Sequence, residues 1–238
     1  MEQAKRGNAS IEAIKYLSRA DYFCMLIDGA LKIITQQELK PVHEIKNRNI
    51  KMFCLNQEVY RVNSQAGPGR INSVSQTDQI CVCTKQNQLF FYEAHIPPGA
   101  GMTQFREETR EPMKSGYSLK ETPTQIIWDG DLIFIATKKA YLIMNYSDGQ
   151  LVAKMDLVNN QDIPMMSVYK DKCLVVSKLG KEAQYLEIKD GGTLKDKPYF
   201  DLESKDQLVS IQLVDNEYVV AVFETFVKVF KASNGQEL

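Results

Sequence analysis

This 238-residue sequence is short of the groups that most enzymes and membrane proteins rely on. It holds two histidines, His43 and His95, and one tryptophan, Trp128. Neither histidine lies at ligand spacing from the other or from a cysteine, so a histidine-based metal centre has no ligand set. Charge of one sign is missing too. Lysine plus arginine number 29 against 30 aspartates and glutamates, a net charge of −1 that gives no basis for nucleic-acid binding. No apolar run approaches the roughly 18 residues of a spanning helix. The opening MEQAKRGNAS has charge with no apolar stretch behind it, which is not the pattern of a secretory leader. A glycine-rich phosphate cradle is absent as well: Gly99-Ala100-Gly101 follows two prolines and leads into no helical pattern. The expectation is a cytoplasmic chain without a cofactor.

The five cysteines, Cys24, Cys54, Cys81, Cys83 and Cys173, fit a reducing compartment. Cys81 and Cys83 alternate along an apolar run, so both thiols face one side and could offer two ligands to a metal. With no second pair nearby, buried structural thiols are the expected reading.

What the sequence does contain is a repeated pattern. Between Thr122 and Gly149, TPTQIIWDGDLIFIATKKAYLIMNYSDG, three short apolar runs are separated by turns at Asp129-Gly130 and Lys138-Lys139. Rich in Ile, Tyr, Phe and Trp and too short for helices, they read as antiparallel strands joined by hairpins. Leu151 to Leu157 alternates apolar and polar residues and reads as a fourth, half-exposed strand. About 35 residues thus make one four-stranded meander, the size of a propeller blade. Similar third strands recur as ALKIIT, QLFFYE, AYLIMN, AQYLEI and TFVKVF, at intervals of roughly 40 to 60 residues. The fold expected is an all-β propeller filling residues 1–238 as one domain, with five recognisable blades. Closed rings of such blades most often have seven, so the ring is expected to be incomplete, with exposed sheet edges that aggregate or recruit another strand.

Two segments interrupt the pattern. Gln57 to Asp78, with Gly67-Pro68-Gly69, reads as an insertion between strands, although Ile71 to Val74 could be a strand. Residues 95–118 read as a long loop insertion, with Phe105 and Tyr117 able to add an outer strand on either side. Long loops on a rigid scaffold often carry binding surfaces. Phe105, Arg106, Arg110, Lys114 and Tyr117 are therefore the candidate partner-binding residues, an aromatic and charged patch.

Catalysis finds little support. Asp28, Asp129, Asp131, Asp148, Asp190 and Asp215 all fall at turns, where aspartate is favoured by local backbone hydrogen bonding. Trp128, on an inner strand, is expected to fill the volume between blades.

The residues of the Thr122–Leu151 segment also carry a resemblance. A Pro-x-x-(apolar)-x-Trp strand, a Gly-containing turn and a tyrosine-led third strand ending in a Gly turn resemble the signature of the citron-homology family. Here the positions are Pro123, Trp128, Gly130, Tyr141, Leu142, Ile143 and Gly149. YFCMLIDGALKII, QICVCTKQNQLFFYE and EYVVAVFETFVKVFKASNGQEL resemble other parts of that family. Their order is most similar to the N-terminal propeller of endosomal and vacuolar tethering subunits of HOPS and CORVET complexes, the TGF-β-receptor-associated protein type. The resemblance implies a non-catalytic propeller acting in vesicle-mediated transport and membrane fusion. It would bind a Rab-type small GTPase or a partner subunit and sit on endosomal, lysosomal or vacuolar membranes through those partners. Such subunits begin with a further blade and continue into a helical solenoid, neither of which is recognisable here. The alternative implied is the regulatory module of a signalling kinase or Rho exchange factor.

Overall fold

The structure, a computed structural model, describes residues 10–17, 22–36, 40–45, 49–57, 78–95, 104–107, 113–157, 164–170, 173–178, 181–189 and 194–238. Among the described residues the regular elements are strands apart from a helical Gln57 and one short 3-10 turn, Met113–Ser115, and the strands follow one another as antiparallel meanders. The first sheet is β1 (Ile11–Leu17), β2 (Tyr22–Ile27), β3 (Ala30–Thr35) and β4 (Pro41–Ile45). The second is β5 (Ile50–Leu55), β6 (Asp78–Thr84), β7 (Gln88–His95) and β8 (Gln104–Glu107), with β9 (Tyr117–Ser118) also on β7. The third is β10 (Pro123–Asp129), β11 (Leu132–Thr137), β12 (Ala140–Asn145) and β13 (Leu151–Asp156). The fourth is β14 (Met166–Tyr169), β15 (Cys173–Lys178), β16 (Glu182–Ile188) and β17 (Leu194–Asp201). The fifth is β18 (Leu208–Val214), β19 (Tyr218–Phe223) and β20 (Val227–Lys231). These are the five repeats expected from the third-strand pattern.

The turns show why the chain reverses where it does. At Asp28-Gly29 both central residues have positive φ, 52° and 74°, the backbone that a tight hairpin matched to strand twist requires. Lys138-Lys139 turns without glycine because Thr137 Oγ1 accepts from the amides of Lys139 and Ala140, at 3.2 and 3.0 Å. One expected turn moves by a residue. Asp129 pairs with Leu132, so Gly130 and Asp131 form the reversal, and Asp129 is a fully buried strand terminus rather than a turn residue.

Internal repetition extends below the level of whole strands. The first strand of four sheets carries a bulge beside its second residue, between Ile11 and Ala13, Ile50 and Met52, Pro123 and Gln125, and Leu208 and Ser210. Such a bulge sharpens twist at one fixed point of each sheet. The turn after the third strand also repeats. Gly149 N donates to Asn145 O and Gln150 N to Asp148 Oδ1; Gly235 N donates to Lys231 O and Gln236 N to Asn234 Oδ1. Gly149 and Gly235 take φ of 69° and 76° in these matched S-D/N-G-Q turns.

The segment 95–118 is more ordered than a single loop. Within it β8 pairs with one half of β7 and β9 with the other, Leu89 opposite Tyr117 and Tyr92 opposite Glu107. Two short strands therefore do the work of one outer strand. Phe105 and Tyr117 lie in them as the sequence suggested, while residues 96–103 and 108–112 lie outside the described residues, as do Ile71 to Val74.

The chain divides into two compact units, one holding β1–β9 and the other Asn56 with β10–β20. In the first, Leu17, Cys24, Leu26, Leu31 and Ile33 are buried, and Ile50 N donates to Gly29 O across its two sheets at 2.8 Å. In the second, successive sheets pack face to face. Phe134, Ala136, Tyr141 and Ile143 meet Met166, Val168, Leu174, Val176 and Leu186. On the other side of the same strand, Val175 joins Tyr185 and Phe200 against Ile211, Leu213, Val219, Ala221, Phe223 and Phe230. Leu174-Val175-Val176 is thus a continuous apolar run because alternate side chains serve two different interfaces.

Candidate functional site

The candidate partner-binding residues do not all reach the surface. Tyr117 is 9% exposed, with its ring edge-on to Phe91 at 5.5 Å, so it belongs to the core. The cause is local. Gly116, at φ 72°, lies so close to β7 that a Cβ there would stand 2.7 Å from Leu89 O, and this contact feeds Tyr117 inward. Phe105 is half-buried, its ring 5.4 Å from His43 and 6.3 Å from Tyr92. Burial lowers the His43 pKa from its ordinary value. What faces solvent is Arg106, Glu107 and Lys114. Arg110 lies outside the described residues. The aromatic part of the expected patch is a support, and its exposed part is charged.

The signature residues separate into two clusters. Trp128 is 1% exposed and donates its indole N–H to Gly130 O at 2.8 Å, with its ring 4.7 Å from Tyr146. The buried Asn56 grips the same Gly130 peptide from both sides, accepting from its N–H at 2.9 Å and donating to its carbonyl at 3.3 Å. A side-chain amide is the one group that can mimic a neighbouring strand in this way. Sequence reading passed over Asn56, since nothing distinguishes a lone asparagine after an apolar run.

The second cluster joins the third and fourth sheets. Tyr141 places its hydroxyl 2.8 Å from Ser177 O, 3.0 Å from Met165 O and 3.3 Å from Ser177 Oγ. Gln125 repeats the action of Asn56 on a different peptide, its amide exchanging two 2.9 Å hydrogen bonds with Met166 N and O. Ser167 Oγ accepts from Leu213 N, tying the fourth sheet to the fifth. Pro123 opens β10 beside its bulge, and Gly149 serves the repeated turn.

The turn aspartates perform backbone duties: Asp28 and Asp215 take positive φ, Asp148 caps the Gln150 amide, and Asp131 accepts from Tyr146 N. Asp190 lies outside the described residues. Two open clefts lie beside the repeated turns of the second unit. One, of about 450 Å³, is lined by Leu132, Asn145, Asp148, Gln150, Ile188 and Lys189; the other, of about 440 Å³, by Tyr185, Asn216, Glu217, Tyr218, Lys231 and Ser233. Each sets a carboxylate and an ammonium beside at least one side-chain amide, suited to holding a polar chain segment.

The cysteines gain a member that spacing did not reveal. Cys54 pairs directly opposite Cys81, with Cys83 two residues on. Burial pushes the Cys81 thiol well above its ordinary value, with its hydrogen bond to Cys54 adding to it, and raises Cys83 to about 11. Cys24 is raised by burial and then by Asp78. Among the described residues no group of three His, Cys, Asp or Glu is placed to hold a metal. Thiols held protonated and buried are poor nucleophiles. Iodoacetamide at about pH 8 is therefore expected to leave Cys24, Cys54, Cys81 and Cys83 unlabelled in the native chain and to label all four in urea. Peptide mass spectrometry reads this, and label on native Cys81 would contradict it.

No protein-family model matches the sequence, and no curated protein matches it. Structural likeness is clear. Kluyveromyces lactis Hsv2 superposes with a TM-score of 0.62 at 10% identity, over 97% of this chain and 63% of that one. The β-propeller domain of Myceliophteria thermophila Cps50 (Swd1) gives 0.61 at 13% identity, over 96% and 72%. BBS1N, solved in complex with ARL6DN, gives 0.61 at 10% identity, over 99% and 68%.

The chain has the β-propeller fold.

The propeller spans just under two thirds of the length of the Hsv2 structures it matches. Its sheets are the blades, and Gln125, Tyr141 and Ser167 are side chains that bridge to a backbone outside their own sheet.

Proposed function

We propose that this propeller is a protein-interaction module of the citron-homology type, from an endosomal or vacuolar membrane-tethering subunit. It binds a Rab-type small GTPase or another tethering subunit and reaches the membrane through those partners, without performing chemistry. The observation that carries the reading is the role of the signature residues. Trp128 and Gly130 hydrogen-bond to each other inside one blade, and Tyr141 ties that blade to the next. A sequence signature built of structural contacts belongs to a scaffold, and it leaves the surface loops for recognition. BBS1N, a propeller of similar fold, was solved with a protein partner, ARL6DN. The exposed charges of the second blade, Arg106 and Lys114, are the docking ground offered to a partner here.

The test is a binding panel of Rab-, Rho- and Ras-type GTPases, each in GTP- and GDP-locked forms, against the purified chain by biolayer interferometry. Preference for one GTP-locked Rab-type protein is expected, weakened at least about tenfold by Arg106→Glu with Lys114→Glu at unchanged melting temperature. Binding confined to Rho- or Ras-type proteins would replace tethering with the signalling-module reading.

A further inference from the structure

The fifth sheet has two apolar faces; one packs against the fourth sheet and the other carries exposed apolar side chains. Ile211, Leu213, Val219, Ala221, Phe223 and Phe230 pack against the fourth sheet. Register puts Val214, Tyr218, Val220, Val222, Val227 and Val229 on the opposite face: Val214 pairs with Tyr218, Val220 with Val229, and Val222 with Val227. On that face Val227 is 54% exposed, Val214 39% and Tyr218 37%.

The sister sheets show what such a face is built to meet. On β11 the equivalent positions are Phe134 and Ala136, covered completely by the fourth sheet. On β15 the equivalent is Val175, covered completely by the fifth. Each time the cover is another twisted antiparallel sheet with branched aliphatic and aromatic side chains. Val220 and Val222 repeat this position on β19.

The first sheet offers a matching surface. Ile14 pairs with Met25 and Tyr16 with Phe23, which puts the four on one face. Ile11, Ile14 and Tyr16 are 59%, 51% and 44% exposed, although Cys24, Leu26, Leu31 and Ile33 on the reverse are fully buried. Lys231 is the only charged strand residue in the register of the fifth sheet's exposed face. Lys32 and Glu44 oppose each other in the register of the first sheet's exposed face, so no like-charge excess separates the two surfaces.

We propose that these faces bind each other between copies of the chain, the fifth sheet of one molecule stacking on the first sheet of another. The contact is heterologous, using two different surfaces, so each molecule keeps one free face and growth continues beyond a dimer. Each face exposes on the order of 300 Å² of apolar surface, and their sum falls below the roughly 1,200 Å² of stable specific interfaces. The association is therefore weak and depends on concentration. It is independent of the reading given to Arg106 and Lys114, which lie on β8 and on the short 3-10 turn Met113–Ser115.

Sedimentation velocity on the 238-residue chain tests this between about 5 and 200 µM, a range that brackets a weak interface. The weight-average sedimentation coefficient is expected to rise with concentration in the unaltered chain. Val214→Lys with Val227→Lys, or Ile11→Lys with Ile14→Lys, should each leave a monomer throughout. All four positions are exposed, so melting temperatures should not move; if a double variant melts lower, Val227→Lys and Ile14→Lys alone replace it. Mixing the two variants is the decisive arm. One retains a working first sheet and the other a working fifth sheet, so the mixture should regain association and stop at a dimer. A chain that stays monomeric at the highest concentration overturns the proposal. So does association that survives either variant, or a mixture that stays monomeric.

Discussion

Trp128→Ala is expected to destabilise the chain by about 3–5 kcal/mol, the range for truncating a buried large aromatic. The indole is the largest fully buried side chain, and its removal leaves a cavity beside Tyr146 and takes away the donor on Gly130 O. Trp128→Phe separates these two effects. It retains much of the packing and loses the 2.8 Å hydrogen bond, while Gly130 O retains the longer one from Asn56 Nδ2. A loss of about 0.5–1.5 kcal/mol is the expected result for a net neutral hydrogen bond. Urea unfolding followed by far-ultraviolet circular dichroism measures both, because the fluorophore is lost with the side chain. Equal costs for the two variants would mean that cavity formation is unimportant at this site. A cost under about 1 kcal/mol for alanine would mean that the packing of the indole contributes little to the stability of the fold.

Legibility in the sequence followed how local the determining physics was. Hairpins are legible because their causes sit within a few residues, as at Asp28-Gly29, and the five third strands begin and end within two residues of ALKIIT, QLFFYE, AYLIMN, AQYLEI and TFVKVF. Asp129 shows the limit of that reading. Asp-Gly is a common turn pair, but here burial of the aspartate extends β10 by one residue and moves the reversal to Gly130-Asp131. The burial of Tyr117 is not legible for a different reason: it depends on the close approach of Gly116 to Leu89, two segments far apart in the chain. The pairing of Cys54 with Cys81 and the hold of Asn56 on Gly130 are not legible, because contacts between distant segments decide which residue each meets. The same holds for the exposed surfaces of the first and fifth sheets. These surfaces are sheet faces, distinct from the open strand edges expected, and a period-2 pattern cannot say which of two apolar faces a neighbour covers.

Tyr141 is where local pattern and long-range register combine, and its truncation should have the second large effect. Tyr141→Ala is expected to cost about 3–5 kcal/mol, since it removes a ring packed between two blades as well as its hydroxyl contacts. Tyr141→Phe isolates the hydroxyl. A phenol has one proton to share between two carbonyls, and Met165 O already accepts from Ser177 N at 2.9 Å, so the group left without its donor is Ser177 O. Stranding that buried acceptor should cost about 1–3 kcal/mol. Ser177→Ala removes Ser177 Oγ, which accepts from Met165 N at 3.1 Å and lies 3.3 Å from the phenol. Because both changes dismantle one cluster, the double variant should lose less than the sum of the singles, with a coupling of roughly 0.5–3 kcal/mol. Denaturation midpoints of the four proteins in the cycle give that number. Strict additivity would mean that Tyr141 and Ser177 act separately and that the hydroxyl does not lock the third blade to the fourth.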